Sequence, residues 1–456
     1  MNDKLKSNPF LHNKLNFELS EERFLNEVFL QKIENFPVLW KVGDWLSKIN
    51  YYSKNRKQLK FKIIYFFHKL VKSEKFKTLA FPDTFEDAYK RKAYNYSKYR
   101  IKSYNKNSDL SKIYEILSEK KYSGIIVYPS TIHWEPLQRP QQLLREFAKL
   151  DYLCFFCEPK QSHLSIVKVE SNLYTISGDQ YLIYPLQNFD IIILCTWMLN
   201  LPFANLIPKK FLWYDIIDRL EIFSLYDEKM LNKHEQFVEA ADLVTYSGLQ
   251  LTDFTKKRSN AIYLPNGVIT EDFTNLKKTN LKKFPTIQLR KDKPIIGFYG
   301  AIAEWLDFKL IHDVANKSPE WEFVFIGQIW TDINEISRLP NVHFTGLIPY
   351  KKLPEIAINF DIGIIPFTIN DLTNSVSPIK FFEYAALGLP VVTTSFYEIT
   401  QYKGESFLQI ASSTDEFIEA IRNFLNSKLS DTSEDAKLFA NKHHWAQRVK
   451  KIIKYF

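Results

Sequence analysis

Residues 361–394 read DIGIIPFTINDLTNSVSPIKFFEYAALGLPVVTT. The apolar run 362–367 predicts a buried strand, and 391–394 predicts another. Between them, 368–377 is polar. Pro378 stands where its fixed φ and missing N–H suit the first turn of a helix over 378–387. Strand, loop, helix and strand make one crossover unit of a parallel sheet. A polar loop that ends at a helix start also forms an anion site without needing glycine, because first-turn N–H groups and the helix dipole favour negative charge there. Ser375 and Ser377 add hydroxyl donors, and Lys380 adds a cation for a phosphate. Glu383 lies at i+3 from Lys380 and shares its face. A carboxylate there suits the vicinal hydroxyls of a ribose. The plain alternative is an ordinary Lys–Glu helix pair near a cap.

The same texture extends outward. Before this stretch, KPIIGFYG, WEFVFIG and NVHFTG read as strands, with a helical segment at 305–316. Earlier still, GIIVYPS from Gly124, YLCFFCEP, FDIIILCTW, KFLWYDI, ADLVTYS and AIYLPNG are strand runs, and 139–150, 231–240 and 249–258 read as helices. The charged stretch 275–293 is the natural linker. The fold expected is α/β, with two doubly wound Rossmann-like domains in tandem facing a cleft. The boundaries expected are a helical basic extension at 1–120, a first domain at 121–280, a second at 281–435, and a C-terminal helix that crosses back at 436–456. The tail from 434 reads as one long helix.

The 456 residues include only 12 glycines, and neither a GxGxxG nor a GxxxxGK[ST] occurs. Phosphate must then be held by something other than a glycine-rich loop. The 37 Phe, 25 Tyr and 9 Trp exclude disorder as the main state. Three cysteines cannot build a disulfide framework. Cys154 and Cys157 fall inside a strand, where residues three apart face opposite ways, so a metal or redox pair is not expected. No apolar run approaches the ~18–20 residues of a membrane span, and no apolar leader opens the chain. The protein expected is cytoplasmic or attached to the inner face of the membrane.

The net charge of +9 is uneven, since residues 51–120 carry +11. Within that segment, 59–77 reads as a basic amphipathic helix. It fits an anionic membrane surface or a solvated face over a neighbouring domain. Nucleic acid is not expected, because the basic residues are 49 Lys against 12 Arg and base readout favours Arg.

The stretch around Asn370, Asp371, Leu372, Thr373, Val376, Pro378, Lys380, Glu383, Tyr384, Ala386, Gly388 and Pro390–Val392 resembles the donor-binding segment of GT-B glycosyltransferases, near the retaining family-4 group. Residues 295–311, 339–367, LPNGV (264–268), YDIIDR (214–219), RPQQL (139–143) and HHWAQR (443–448) extend the resemblance over about 121–456. It implies sugar transfer from a UDP-, GDP- or dTDP-sugar to a glycan, lipid-linked or protein acceptor, with retention, in cell-surface polysaccharide or glycoconjugate synthesis. It requires no other cofactor and no catalytic metal. Gly300 and Ala301 would meet the donor phosphates, and the backbone at 346–349, with Gly346, the base. Glu383 and Lys380 would carry the donor chemistry, with Asp371 and His133 as further catalytic candidates. Glu135, Arg139, Gln141 and Asp218 are the acceptor-side candidates.

The family's usual pair of glutamates, eight positions apart, is incomplete here. Ser375 occupies the first position, and Asp371 or Asn374 would have to replace it. The cation for the diphosphate is Lys380 or Lys309, with Lys380 favoured. The missing glutamate also motivates a second reading, a sugar-nucleotide-binding or assembly protein without transfer activity.

Overall fold

The computed structural model describes residues 84–102, 110–159, 164–223, 225–276, 289, 293–427 and 429–456. The basic amphipathic segment 59–77 and most of the linker 275–293 lie outside the described residues.

The chain forms two compact units. The first holds the described residues up to Ile132, with Asp151–Thr245 and Phe254–Ala261. The second holds His133–Leu150, Tyr246–Asp253 and Ile262–Phe456.

In the first unit, α1 (Phe85–Lys102) and α2 (Ser111–Ser118) precede β1 (Gly124–Tyr128). Next in the chain is α3 (Arg139–Lys149), a member of the second unit. The strands β2 (Tyr152–Cys157), β3 (Ile166–Glu170), β4 (Leu173–Ile176), β5 (Ile191–Cys195), β6 (Lys210–Ile216) and β7 (Leu243–Tyr246) then follow, with α4 (Glu228–Ala240) between the last two. Their order is β3–β4–β2–β1–β5–β6–β7. The pairs made by β1 with β2 and β5 are parallel, as are β2 with β4 and β5 with β6. The central strands are continuous buried apolar runs because helices cover both faces of such a sheet. Cys154, Cys157 and Cys195 are buried and unbonded within it, and burial pushes the thiols of Cys154 and Cys157 well up.

Helix α1 is part of this core. Phe85, Ala88, Tyr89, Ala93 and Tyr96 are buried. The Tyr96 hydroxyl donates to Asp179 Oδ2 (2.8 Å), and the Ser130 N–H donates to the same oxygen (2.9 Å). Lys92 Nζ donates to the Ser130 carbonyl (3.2 Å). Truncation at residue 120 removes this layer and exposes its apolar partners. It is expected to abolish soluble expression or to lower the unfolding temperature sharply, which thermal denaturation of the truncated and full-length chains would measure.

In the second unit, β8 (Ile262–Tyr263) precedes β9 (Ile295–Tyr299), α5 (Phe308–Lys317), β10 (Glu322–Ile326), β11 (Val342–Phe344) and β12 (Ile362–Ile365). Helix α6 (Ile379–Ala386), β13 (Val391–Thr394), β14 (Leu408–Ala411), α7 (Thr414–Asn426), α8 (Leu429–Lys442) and α9 (Trp445–Ile452) complete it. The sheet runs β11–β10–β9–β12–β13–β14 and is parallel at every pair. Asp307 caps α5 by accepting from the Leu310 N–H (2.8 Å), and Ser413 caps α7 from the Glu416 N–H (3.2 Å).

Two local expectations differ, and one hairpin is additional. The segment 249–258 forms a 3-10 turn over Leu249–Thr255 rather than an α-helix. A hairpin, β3 antiparallel to β4, adds an edge to the first sheet in a stretch to which the sequence reading assigns no element. The long C-terminal helix is broken between α8 and α9. Val268 forms a bridge with His444 there, the Trp445 N–H donates to the Val268 carbonyl (3.0 Å), and the His444 ring accepts from the Ala446 N–H (2.9 Å), which starts a new helix.

Candidate active site

The polar loop after β12 is more ordered than a loop. Asn370 and Thr373 form a reciprocal capping box around a short helix, Asp371–Asn374. Pro378 is the N-cap of α6, so the helix starts one residue later than the sequence predicts. One face of α6 is bolted down by rings. Phe381 and Phe382 lie 5.2 and 6.0 Å from Phe439, which stacks on His443 at 4.2 Å. Burial pushes the His443 imidazole down to about 4, so it packs there as a neutral ring.

The opposite face of α6 carries Lys380 and Glu383. Lys380 Nζ lies 3.6 Å from Glu383 Oε2 and 5.4 Å from the centre of the Tyr299 ring. Glu383 is buried, and its Oε2 has no hydrogen-bond partner. The Tyr299 hydroxyl beside it is buried and likewise unpartnered. Burial pushes the Glu383 carboxyl up, and Lys380 and Tyr299 oppose part of that rise. A buried carboxylate oxygen held by an ion pair at 3.6 Å but by no hydrogen bond is incompletely satisfied. It is satisfied once a ligand supplies hydroxyl groups.

Gly300 follows Tyr299 at the end of β9 with φ +144°, and a Cβ there would stand 3.3 Å from Lys380 Cε. Ala301 follows it, half-buried. At the end of β10, Gly327 donates to the Gly346 carbonyl (2.9 Å). Its φ is +152°, and a Cβ on it would fall 1.8 Å from the Gly300 carbonyl oxygen. Gly327→Ala therefore forces two strand ends apart. It is expected to destabilise the second unit by about 3 kcal/mol or more, read as a fall in unfolding temperature, and to weaken nucleotide binding. Around the Cβ position of Gly346 nothing lies within 4 Å.

Asn266, which the sequence places only in a matching motif, is a hub of this unit. Its Nδ2 donates to the Ser377 carbonyl (2.7 Å) and its backbone N–H to Ser377 Oγ (3.1 Å). Its Oδ1 accepts from Arg139 (3.1 Å), and its carbonyl accepts from Arg448 (3.1 Å). The start of α6 is thereby tied to α3 and α9.

Residues 293–427 match the family model described as glycosyl transferases group 1. A Bacillus subtilis (strain 168) protein named as the teichuronic acid biosynthesis glycosyltransferase TuaH is 27% identical over 286 residues, covering 57% of this chain and 71% of that one. Sucrose-phosphate synthase from Thermosynechococcus elongatus superposes with a TM-score of 0.57 at 13% identity, over 73% of this chain and 98% of that one. The Anabaena protein HepE, solved with UDP and glucose, gives 0.54 at 13% identity, over 73% and 100%. The chain has the GT-B fold of these neighbours, and its residues 293–427 form a glycosyl transferases group 1 domain.

The sequence-derived candidates fall into three groups. Lys380, Glu383 and Gly300 come together as described. Ser377, Arg139 and Gln141 are buried in supporting roles. Arg139 holds Asn266 and lies over the Trp445 ring at 5.6 Å, rather than presenting its guanidinium at the surface for an acceptor. The Gln141 amide donates to the carbonyls of His133 and Trp134 (3.1 and 3.0 Å) and accepts from the Gln138 N–H, so it shapes the 133–138 loop instead of meeting an acceptor. His133 and Glu135 lie exposed on that loop.

The third group departs from its expected role. Ser375 is buried, and its hydroxyl donates to the Asp371 carbonyl (2.8 Å), which removes it from phosphate contact. Asp371 is exposed at the first position of its short helix, and Asn374 accepts from the Tyr397 N–H (2.8 Å). Lys309 is exposed and pairs with Asp313 (2.9 Å) on the surface of α5, so Lys380 alone of the two stands beside Glu383. Asp218 belongs to the first unit, half-buried beyond β6, where burial pushes its carboxyl up to about 6. Asp215, beside it in sequence, is buried and accepts from Thr245 (2.5 Å).

Among the described residues, no group of three or more His, Cys, Asp or Glu side chains is placed to hold a metal ion. Among the same residues, no helix is long and apolar enough to cross a membrane.

Proposed function

We propose that the protein moves a sugar from a nucleotide-sugar donor to a growing cell-surface polysaccharide or glycoconjugate, with retention of configuration. The observation that carries the donor assignment is the buried Glu383 Oε2, ion-paired with Lys380 at the start of α6 yet making no hydrogen bond. Two ribose hydroxyls donating to Glu383 give its Oε2 the hydrogen bonds that the ion pair with Lys380 does not supply. The diphosphate then reaches Lys380 and the first-turn N–H groups of α6, with Gly300 and Ala301 allowing close backbone approach. As the glycosidic bond breaks, charge builds on the leaving diphosphate. Donors aimed at that charge stabilise the transition state more than the ground state. The backbone at 346–349 lies against the base. Acceptor recognition falls to His133 and Glu135 on the exposed loop. On a retaining path the departing phosphate itself takes the acceptor proton.

The relatives support this reading. TuaH is named for teichuronic acid biosynthesis. HepE was solved with UDP and glucose, and a trehalose-6-phosphate enzyme of E. coli (TM-score 0.52, 13% identity) with UDP-2-fluoro glucose. UDP-sugars are therefore the first donors to test. Incubation with UDP-, GDP- and dTDP-sugars and mixed glycan and lipid-linked acceptors, read by mass spectrometry and by NMR of the new linkage, tests the proposal. Release of nucleoside diphosphate with a retained anomeric centre is expected. An inverted product would overturn the retaining assignment, and turnover of none of the donors would overturn the donor assignment.

A further inference from the structure

Tyr350 opens a 3-10 turn, Tyr350–Lys352, immediately after 346–349. It is buried, at 7% exposure, and held from several sides. Its hydroxyl accepts from Gln142 Nε2 (3.1 Å) and donates to Asp272 Oδ2 (3.2 Å). Asp272 is fixed in turn by two hydrogen bonds from the Arg145 guanidinium (2.5 and 2.9 Å), and Arg145 also donates to Gln142 Oε1 (2.9 Å). A bidentate arginine–carboxylate pair, largely shielded from water, has a narrow geometry. The Tyr350 ring meets Phe273 edge-on at 6.3 Å, and its backbone N–H faces the Glu135 carboxylate.

The segment just before it is held much less. Gly346 has a left-handed φ of +74° and open space at its Cβ position, and Leu347 is 62% exposed. The tie at Gly346 comes from Gly327, at the opposite end of 346–349 from Tyr350. The backbone between these ties takes its position from both. Gln142 and Arg145 lie on α3, the helix whose first turn carries Gln141 and shapes the 133–138 loop. One helix therefore braces both the loop with the acceptor candidates and the residue next to the base-side backbone.

We propose that Tyr350 is a positioning residue for the nucleotide: clamped between Gln142 and Asp272, it sets the 346–349 backbone against which the donor's base rests. This rests on the donor assignment made above. Tyr350 touches no reacting atom, so it acts on donor affinity and not on the chemical step.

The test uses the full-length chain with UDP, GDP and dTDP as probes. Tyr350→Phe keeps the ring and its packing on Phe273 and removes only the clamped hydroxyl. Gln142→Leu removes the amide from the other side. For the diphosphate that the wild type binds most tightly, both variants are expected to raise the calorimetric Kd by about 5-fold, the worth of about one hydrogen bond. Donor KM should rise by the same factor, with kcat within about 2-fold of wild type. A merely structural tyrosine would lower the unfolding temperature and leave Kd and KM alone, and that result would overturn the proposal. An equal fall in kcat with unchanged KM would overturn it too. If the wild type bound none of the three diphosphates, the donor assignment would fail, and the proposal would fail with it.

Discussion

Glu383→Ala is expected to lower kcat/KM for sugar transfer by about 100-fold or more. The wild-type carboxylate would accept two hydroxyl hydrogen bonds in a buried site. Bonds to a charged group are worth about 1.5–3 kcal/mol each, so losing both gives a factor of that size. The substitution also leaves a hole on the polar face of α6 beside Lys380. Glu383→Gln separates the two effects, because it keeps the volume and halves the acceptor capacity. It is expected to fall about 10-fold in kcat/KM without losing stability.

The pH dependence of Glu383→Gln has a definite sign. Burial raises the Glu383 carboxyl in the folded protein above its unfolded value. The folded state then binds the proton more tightly than the unfolded chain does. Wild-type stability therefore falls as pH rises from about 4.3 through the raised folded value, as the buried group is forced to ionise. Glu383→Gln lacks this penalty, so its unfolding temperature should gain on the wild type over that window and stay level below it. Nucleotide affinity runs the opposite way, since only the ionised carboxylate accepts both hydroxyls. It should rise with pH across the same window in the wild type and stay flat in the variant. A difference in unfolding temperature that shrinks with rising pH would contradict the assignment.

Lys380→Ala carries the second large effect. Removing one preorganised group aimed at developing charge costs about 10²–10³ in kcat, and Lys380 is the cation that stands beside Gly300 and Glu383. Its loss also strips Glu383 of the charge that opposes the effect of burial, so the Glu383 carboxyl moves further up. The pH profile of the residual activity should therefore shift to the alkaline side. Lys380→Met, which retains most of the aliphatic stem but not the charge beside the Tyr299 ring, should lose the same activity with less change in stability. Because the two groups act through one another, the Lys380→Ala, Glu383→Gln double variant should lose less than the product of the single losses. Full multiplicativity, or a Lys380→Ala variant within a few-fold of wild type, would remove Lys380 from the diphosphate.

The parallel sheets were legible because their strands are continuous buried apolar runs between turn residues, a pattern written locally in GIIVY, IIILC and IIGFY. Lys380 and Glu383 were legible for a similar reason, since a spacing of three on a helix fixes a shared face. The β3–β4 edge gives no such signal, because IVKVE is half-exposed and carries Lys168 and Glu170 among its apolar residues. What decided the fates of Ser375, Arg139 and Gln141 lies far away in sequence or in backbone geometry. The Ser375 hydroxyl turns back onto the Asp371 carbonyl, Arg139 reaches Asn266 across more than a hundred residues, and Gln141 reaches back to a loop carbonyl. No local periodicity records such bonds. The break between α8 and α9 has the same origin: Val268 pairs with His444, which the apolar pattern of the tail does not show. Asn266 was hidden in plain view, since LPNG reads as a turn signal and gives no sign that its amide ties Ser377 to Arg139.

The central claim places the donor's diphosphate and ribose at Gly300, Ala301 and the start of α6. Hydrogen exchange of the full-length chain, with and without a saturating concentration of the nucleoside diphosphate it binds most tightly, tests it most directly. Slowed exchange confined to 299–302, 346–350 and 376–384 is the result expected. Saturation with those three segments unchanged and protection elsewhere would contradict it.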